Sequence, residues 1–315
     1  MRFFGFESDQ ETYIQTGIQR SSEKMLLSDV DIYFNFDARK QPKPNSQSVL
    51  IIYEPECVMP WQYTNECREM FKLVICLNPW RAEKYDIPLW EFQPIEPIIY
   101  RPIKECEVKS NVWVMINAHK FSAIRGSGYS LRRRVARLME LKGIPFDLYG
   151  HNWNMGKFME ARKRIAAIRE AMTLGVRAVD WKEGLGEMWQ SYASYRGSVE
   201  KKFDILCRSK FAIVIENDLN TLSEKVFDAI FSLAIPIYVG PDISSINGLK
   251  ECLFVSEPNA ESIIDLVQQI KQHEVEERYR AITRFISKKA NMDFCNPQRV
   301  WENIGRLVVE NLNSN

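Results

Sequence analysis

Apolar positions in this chain fall into two kinds of run. Short, continuous, β-branched runs bounded by turn residues predict buried strands. DVDIYFNF from Asp29, SVLIIYEP from Ser48 and KLVICLN from Lys72 are of this kind, with a helical TNECREMF between the last two. A second series begins with NVWVMINA from Asn111 and passes through FDLYG from Phe146, FAIVIEN from Phe211 and IPIYVG from Ile235. Helical patterns separate or follow them: LRRRVARLMELKG from Leu131, SEKVFDAIFSLA from Ser223, ESIIDLVQQIKQ from Glu261, EERYRAITRFIS from Glu276 and VWENIGRLVVENL from Val300. A polar, mostly helical stretch fills residues 152–208. Strands alternating with helices predict an α/β layer architecture.

Between Pro88 and Pro102 the sequence PLWEFQPIEPIIYRP breaks both ladders and helices and predicts an extended crossing. The expected organisation is therefore two Rossmann-like domains facing each other: an N-terminal domain over residues 1–105, a second domain over 106–290, and a C-terminal helix over 291–315. No internal repeat or low-complexity tract interrupts this pattern.

The length of 315 residues suits about two domains. Forty-two basic against 41 acidic side chains give a net charge of +1, so the molecule as a whole is no electrostatic trap for nucleic acid. The cluster Arg125, Arg132, Arg133, Arg134 and Arg137 is interleaved with acids and reads mainly as a solvated helix face. A nucleic-acid binder using that patch stays as a distant alternative. The seven cysteines form no Cys-x-x-Cys pair and predict buried free thiols in a reducing compartment. With no apolar leader and no membrane-length run, the expectation is a cytoplasmic protein, membrane-peripheral at most. Asp29-Val30-Asp31 matches a manganese-type Asp-x-Asp only by spacing, and no metal site is expected. Gly126-Ser127-Gly128 lacks the following Gly-Lys-Ser/Thr of a phosphate loop. His151 and the many tryptophans take their ordinary structural reading.

The segment KFAIVIENDLNTLSEKVFDAIFSLAIPIYVGPDI from Lys210 carries the most chemistry. A buried strand ends at Glu216-Asn217, and Ser223 stands at a helix N-cap with Glu224 and Lys225 in the first turn. That puts a helix N-terminus at the C-terminal edge of a sheet, where α/β proteins bind ligands and where free N–H groups favour an anion. The competing structural reading is a capping acid beside a solvated lysine.

Lys210-Phe211, Glu216-Asn217, Ser223-Glu224-Lys225, Asp228-Ala229 and Pro236-Ile237-Tyr238-Val239-Gly240-Pro241 follow in an order that resembles the α1,3-fucosyltransferase family, glycosyltransferase family ten. Tyr53-Glu54-Pro55, Asn117 with the Arg132 helix, and Phe146 to Gly150 extend the likeness over about residues 50–241. The resemblance implies the GT-B architecture and an inverting transfer of fucose from GDP-fucose to an oligosaccharide or glycoconjugate acceptor, with no metal or other cofactor required. It implies Glu54 as general base, with Glu56 its neighbouring rival. It implies Arg132 on the diphosphate, Glu224 and Lys225 on ribose and phosphates, and Glu216, Asn217 and Ser223 beside them. The wider donor-side set takes in Asn117, Arg133, Arg134, Tyr149 and Gly150, together with Tyr195, Lys202 and Thr221.

The loop Asp218–Leu222 is shorter than the family's and carries Thr221 where the family has a tyrosine. This leaves two alternatives open: a transferase using another GDP-sugar, or a catalytically silent sugar- or nucleotide-binding protein of the same fold.

Overall fold

The computed structural model describes residues 1–21, 30–90, 109–175, 179–181 and 191–312, with side chains 292–294 left aside. Asp29, Cys106, Trp189 and the proline-rich crossing beyond Trp90 lie outside the described residues. The chain divides into two compact units: Met1–Pro97 with Glu170–Arg177 and Asp293–Asn315, and Ile98–Arg169 with Ala178–Met292.

The first unit is built on a parallel sheet of five strands in sequence order: β1 (Arg2–Phe4), β2 (Asp31–Phe34), β3 (Val49–Ile52), β4 (Leu73–Cys76) and β5 (Leu89–Trp90). β2, β3 and β4 coincide with the apolar runs that predicted them. All four residues of β3 are fully buried, as a strand covered on both faces must be. β5 corrects the sequence reading of an extended crossing. Leu89 and Trp90 pair with Ile75 and Cys76, and Pro88 sits just before the ladder, where its missing N–H costs nothing.

Two helices cover one side of this core. α1 (Ser8–Arg20) lies against the C-terminal helix, and their apolar faces join the inner face of the sheet around Ile14, Trp301 and Ile304. Short helices α2 (Asn65–Arg68) and α3 (Pro79–Lys84) follow the third and fourth strands and cover the opposite face, where Cys67 and Ala82 pack with Tyr33, Leu50, Ile52 and Cys76.

The second unit has a parallel sheet in the order β10-β9-β8-β6-β7. Its strands are β6 (Ser110–Ile116), β7 (Phe146–Tyr149), β8 (Ser209–Ile215), β9 (Ile235–Val239) and β10 (Phe254–Val255). Helices α4 (Tyr129–Leu141), α5 (Lys157–Met172), α6 (Lys202–Leu206) and α7 (Glu224–Phe231) connect or flank them. α8 (Ala260–Gln269), α9 (Gln272–Ser287), α10 (Lys289–Phe294) and α11 (Pro297–Leu312) complete the chain. After β6 the chain runs to β7 on one side, then returns past β6 to place β8 on the other. The strand order therefore reverses between β6 and β8, and this gap is the sheet's topological switch point.

All six described cysteines are free thiols, five of them buried. No helix among the described residues is long and apolar enough to cross a membrane.

Candidate functional site

The ends of β6 and β8 deliver Asn117 and Glu216-Asn217 to the switch point. Gly128 lets α4 close over them: its N–H donates to Asn217 O at 2.9 Å, and a Cβ there would sit 2.1 Å from Glu216 O. Any side chain at 128 would push the helix off the strand end. Gly150 does the same for β7, with φ of +129° and Asn117 O in the space of a Cβ.

Arg132 of α4 is 2% exposed. Its Nε and Nη2 donate to Ile215 O at 3.1 and 2.5 Å, and Nη2 also reaches Asn217 Oδ1 at 2.9 Å. The guanidinium carbon lies 5.1 Å from the centre of the Tyr129 ring. The sequence reading placed this side chain toward a diphosphate. Here it satisfies the last carbonyl of β8 and fixes the loop that follows. An Arg132→Met variant should accordingly lose about 3 kcal/mol of stability, because a buried carbonyl loses its charged donor. Lysine should rescue it only in part, since one ammonium cannot reproduce the fork. Urea midpoints check this; unchanged stability with weakened nucleotide binding would return Arg132 to the ligand.

Ser223 caps α7 and ties the cluster together. Its N–H and hydroxyl donate to Glu216 at 2.9 and 2.6 Å, while the hydroxyl accepts from Lys225 Nζ at 2.9 Å. Glu216 is fully buried, and Lys225 Nζ stands 3.6 Å from its carboxylate. Burial pushes the Glu216 carboxyl above its ordinary range, against the pull of Lys225 and Ser223.

For Glu224, burial also acts upward, but Lys225 and Lys202 outweigh it and hold the carboxyl down at about 2. Lys202 Nζ lies 3.0 Å from Glu224 and 3.2 Å from Asp228. Asp228 was not singled out from sequence as a site residue. Its signal was the four-residue spacing from Glu224, which puts both carboxylates on one face of α7.

Lys202, Lys225 and Asp228 border a small, open pocket of about 20 Å³ between β6, β8, α6 and α7. Its polar lining is Asn117, Lys202, Lys225 and Asp228; Val114, Ile116, Ala212 and Val214 supply apolar walls. Asn117 Oδ1 and Thr221 Oγ1 are both buried and have no hydrogen-bond partner. A buried polar atom left unsatisfied is costly, and a ligand hydroxyl or amide is one way to satisfy it. The site thus sets two ammonium groups and a helix N-terminus among three carboxylates, Glu216, Glu224 and Asp228: cationic donors for a phosphate beside acceptors for hydroxyls.

The remaining donor-side candidates lie differently. Arg133 donates to Lys120 O and packs over Phe121, and Arg134 is exposed on α4. Tyr195 donates to Gly150 O at 2.9 Å, bracing the end of β7. Burial raises the neighbouring Tyr149 hydroxyl. His151 is exposed; His119 is buried, stacked on Trp153 at 4.7 Å, and pushed down to about 4 chiefly by burial, so it is neutral at physiological pH.

In the first unit, Glu54 follows the C-terminal end of β3 and is half-buried. Its backbone is pinned from three segments. Asn35 Oδ1 accepts from Tyr53 N and Glu54 N at 2.9 and 2.8 Å. Tyr63 Oη donates to Glu54 O at 2.7 Å, and Arg81 Nη2 donates to Tyr53 O at 2.7 Å. Glu56, the rival carboxylate, is 1% exposed and paired with Lys84. Asp31 of the Asp-x-Asp pattern is likewise buried, and accepts from Arg2 and Asn45.

No protein-family model matches the chain, and comparison with curated protein sequences finds no match either. Solved structures do resemble it. A UDP-forming α,α-trehalose-phosphate synthase from Burkholderia xenovorans aligns with a TM-score of 0.50 at 10% identity, over 97% of this chain and 78% of that one. An α1,3-fucosyltransferase aligns with a TM-score of 0.50 at 12% identity, over 100% of this chain and 90% of that one. At such identities the likeness is one of fold: two parallel five-stranded sheets with a C-terminal helix returning to α1, the GT-B fold of glycosyltransferases.

Proposed function

We propose that this chain is a glycosyltransferase that takes its sugar from a nucleotide donor, with GDP-fucose the donor the motif favours. The observation that carries the reading is the pocket at the β6/β8 switch point, where Lys202 and Lys225 converge beside Asn117 at the N-terminus of α7. Fold likeness alone would not choose between a transferase and a silent binder.

In this reading the donor's diphosphate lies against Lys225 and Lys202, and Glu224, ionised at any physiological pH, accepts from the ribose hydroxyls. Glu54 takes the proton of the acceptor hydroxyl as that oxygen attacks the anomeric carbon from the face opposite the diphosphate. The bond from the anomeric carbon to the phosphate oxygen breaks, and the lysines stabilise the negative charge that gathers on the departing diphosphate. Lys202 is held at rest by Glu224 and Asp228, so donor binding exchanges an internal counter-ion for an external one.

Calorimetry with GDP and UDP, followed by a transfer assay with GDP-fucose, tests the proposal. GDP should bind and UDP bind more weakly. Glu54→Gln should keep GDP affinity but lower turnover by about a hundredfold or more. Failure of both nucleotides to bind would remove the transferase reading. Binding of GDP without transfer from any GDP-sugar would support the silent alternative.

A further inference from the structure

α5 is turned inside out. Glu160, Arg164, Ala167 and Ala171 recur at i, i+4, i+7 and i+11 and form its buried face. The interleaved series Phe158, Arg162, Ile165 and Arg169, at the same spacing, forms its exposed face. The usual arrangement buries the apolar stripe and exposes the charges. Here the buried face holds an ion pair, Arg164 to Glu160 at 2.8 Å, and Arg164 also lies over Phe121. The outer face leaves Phe158 80% exposed and Ile165 60% exposed, with Met159 beside them. Of the nine large apolar side chains that are exposed among the described residues, four belong to this helix. A concentration of this kind marks an interaction surface.

We propose that the outer face of α5 docks on an anionic lipid surface. Charge decides the occupant. Along α5 the exposed charged side chains are Lys157, Arg162, Arg169 and Glu170, three cations against one carboxylate in the last turn. A second copy of the chain would set these cations against their own kind. An anionic bilayer complements both halves of the stripe: Phe158 and Ile165 enter the headgroup–acyl boundary, while Arg162 and Arg169 lay their stems along it and reach lipid phosphates.

The test is co-sedimentation of the full chain with phosphatidylcholine vesicles and with vesicles containing about one-third phosphatidylglycerol. Binding to the anionic vesicles, weakened by salt and at least about tenfold lower for Phe158→Ser/Ile165→Ser, is the expected result. Arg162→Gln/Arg169→Gln should lose most of the preference for anionic lipid. Both pairs are exposed, so circular dichroism should stay unchanged and the variants remain comparable. Any of three outcomes overturns the proposal: no sedimentation with anionic vesicles, equal binding by the serine variant, or a concentration-dependent dimer that the serine variant abolishes.

Discussion

Replacing Lys225 with methionine should weaken nucleoside diphosphate binding by about a hundredfold and, at pH 7, cost the fold about 3 kcal/mol. The two losses have different causes. Binding suffers because a charge-assisted contact to phosphate disappears, and each 1.4 kcal/mol is a factor of about ten. Stability suffers because Lys225 is the cation facing Glu216, which is fully buried, at 3.6 Å. Removing one partner of a buried pair leaves the other charge without compensation. Glu224 also loses one of its two lysines but keeps Lys202 at 3.0 Å.

The pH dependence separates these effects. Burial already raises the Glu216 carboxyl from its ordinary 4.5, and Lys225 opposes that rise. Without the lysine the folded-state value climbs further. A group raised in the folded state contributes its stability fully below the unfolded value, and loses it as pH rises through the folded value. The gap between variant and wild type should therefore be smallest near pH 4.5, where the loss of Lys225 from the ionised Glu224 sets it, and widen through Glu216 as pH approaches 7.5. Urea midpoints at the two pH values read this directly; a gap that does not widen with pH would remove Glu216 as the cause. Adding Glu216→Gln to Lys225→Met should recover most of the stability at pH 7.5 and none of the nucleotide affinity. Recovery of affinity as well would place the lysine's effect in the fold and not at the ligand.

Much of the second unit was legible in the sequence because its signals are local. The run to Ile215, the capping Ser223 and the apolar face of α7 occupy one stretch of chain, and their chemistry follows from adjacency. Arg132 shows where local reading stops. The run of arginines reads as a solvated helix face, yet Arg132 is 2% exposed. Whether a buried guanidinium meets a ligand or a carbonyl depends on a strand end 83 residues away. The support of Glu54 is hidden for the same reason, since Asn35, Tyr63 and Arg81 converge from separate segments. Asn117 was readable as a strand end, but its unsatisfied oxygen appears only when β6 is set beside β8.

α1 was not legible at all, and its packing sets up the other large effect. Its interior carries few apolar residues, and Gly17 weakens it as a helix by about 1 kcal/mol relative to alanine. The residue is tolerated because two backbones meet there. A Cβ on Gly17 would lie 2.0 Å from Glu302 O of α11, and one on Gly305 would lie 2.3 Å from Ile14 O of α1. Arg20, paired with Glu302 at 2.5 Å, closes the same contact from a distance of 282 residues in sequence. Gly17→Ala gains helix propensity, yet the added methyl meets a main-chain oxygen that no rotamer change can move aside. The helices must separate, loosening Ile14, Trp301 and Ile304 together.

Overpacking of this kind costs up to about 3 kcal/mol, and loss of the surrounding contacts adds to it. Gly17→Ala should therefore destabilise by about 2 kcal/mol net, and Gly305→Ala by a similar amount, in chemical denaturation of the full chain. The double variant should lose clearly less than the sum, because the first methyl has already parted the helices that the second would push. Strict additivity, or a Gly17→Ala chain as stable as wild type, would show that α1 and α11 do not meet backbone to backbone in solution.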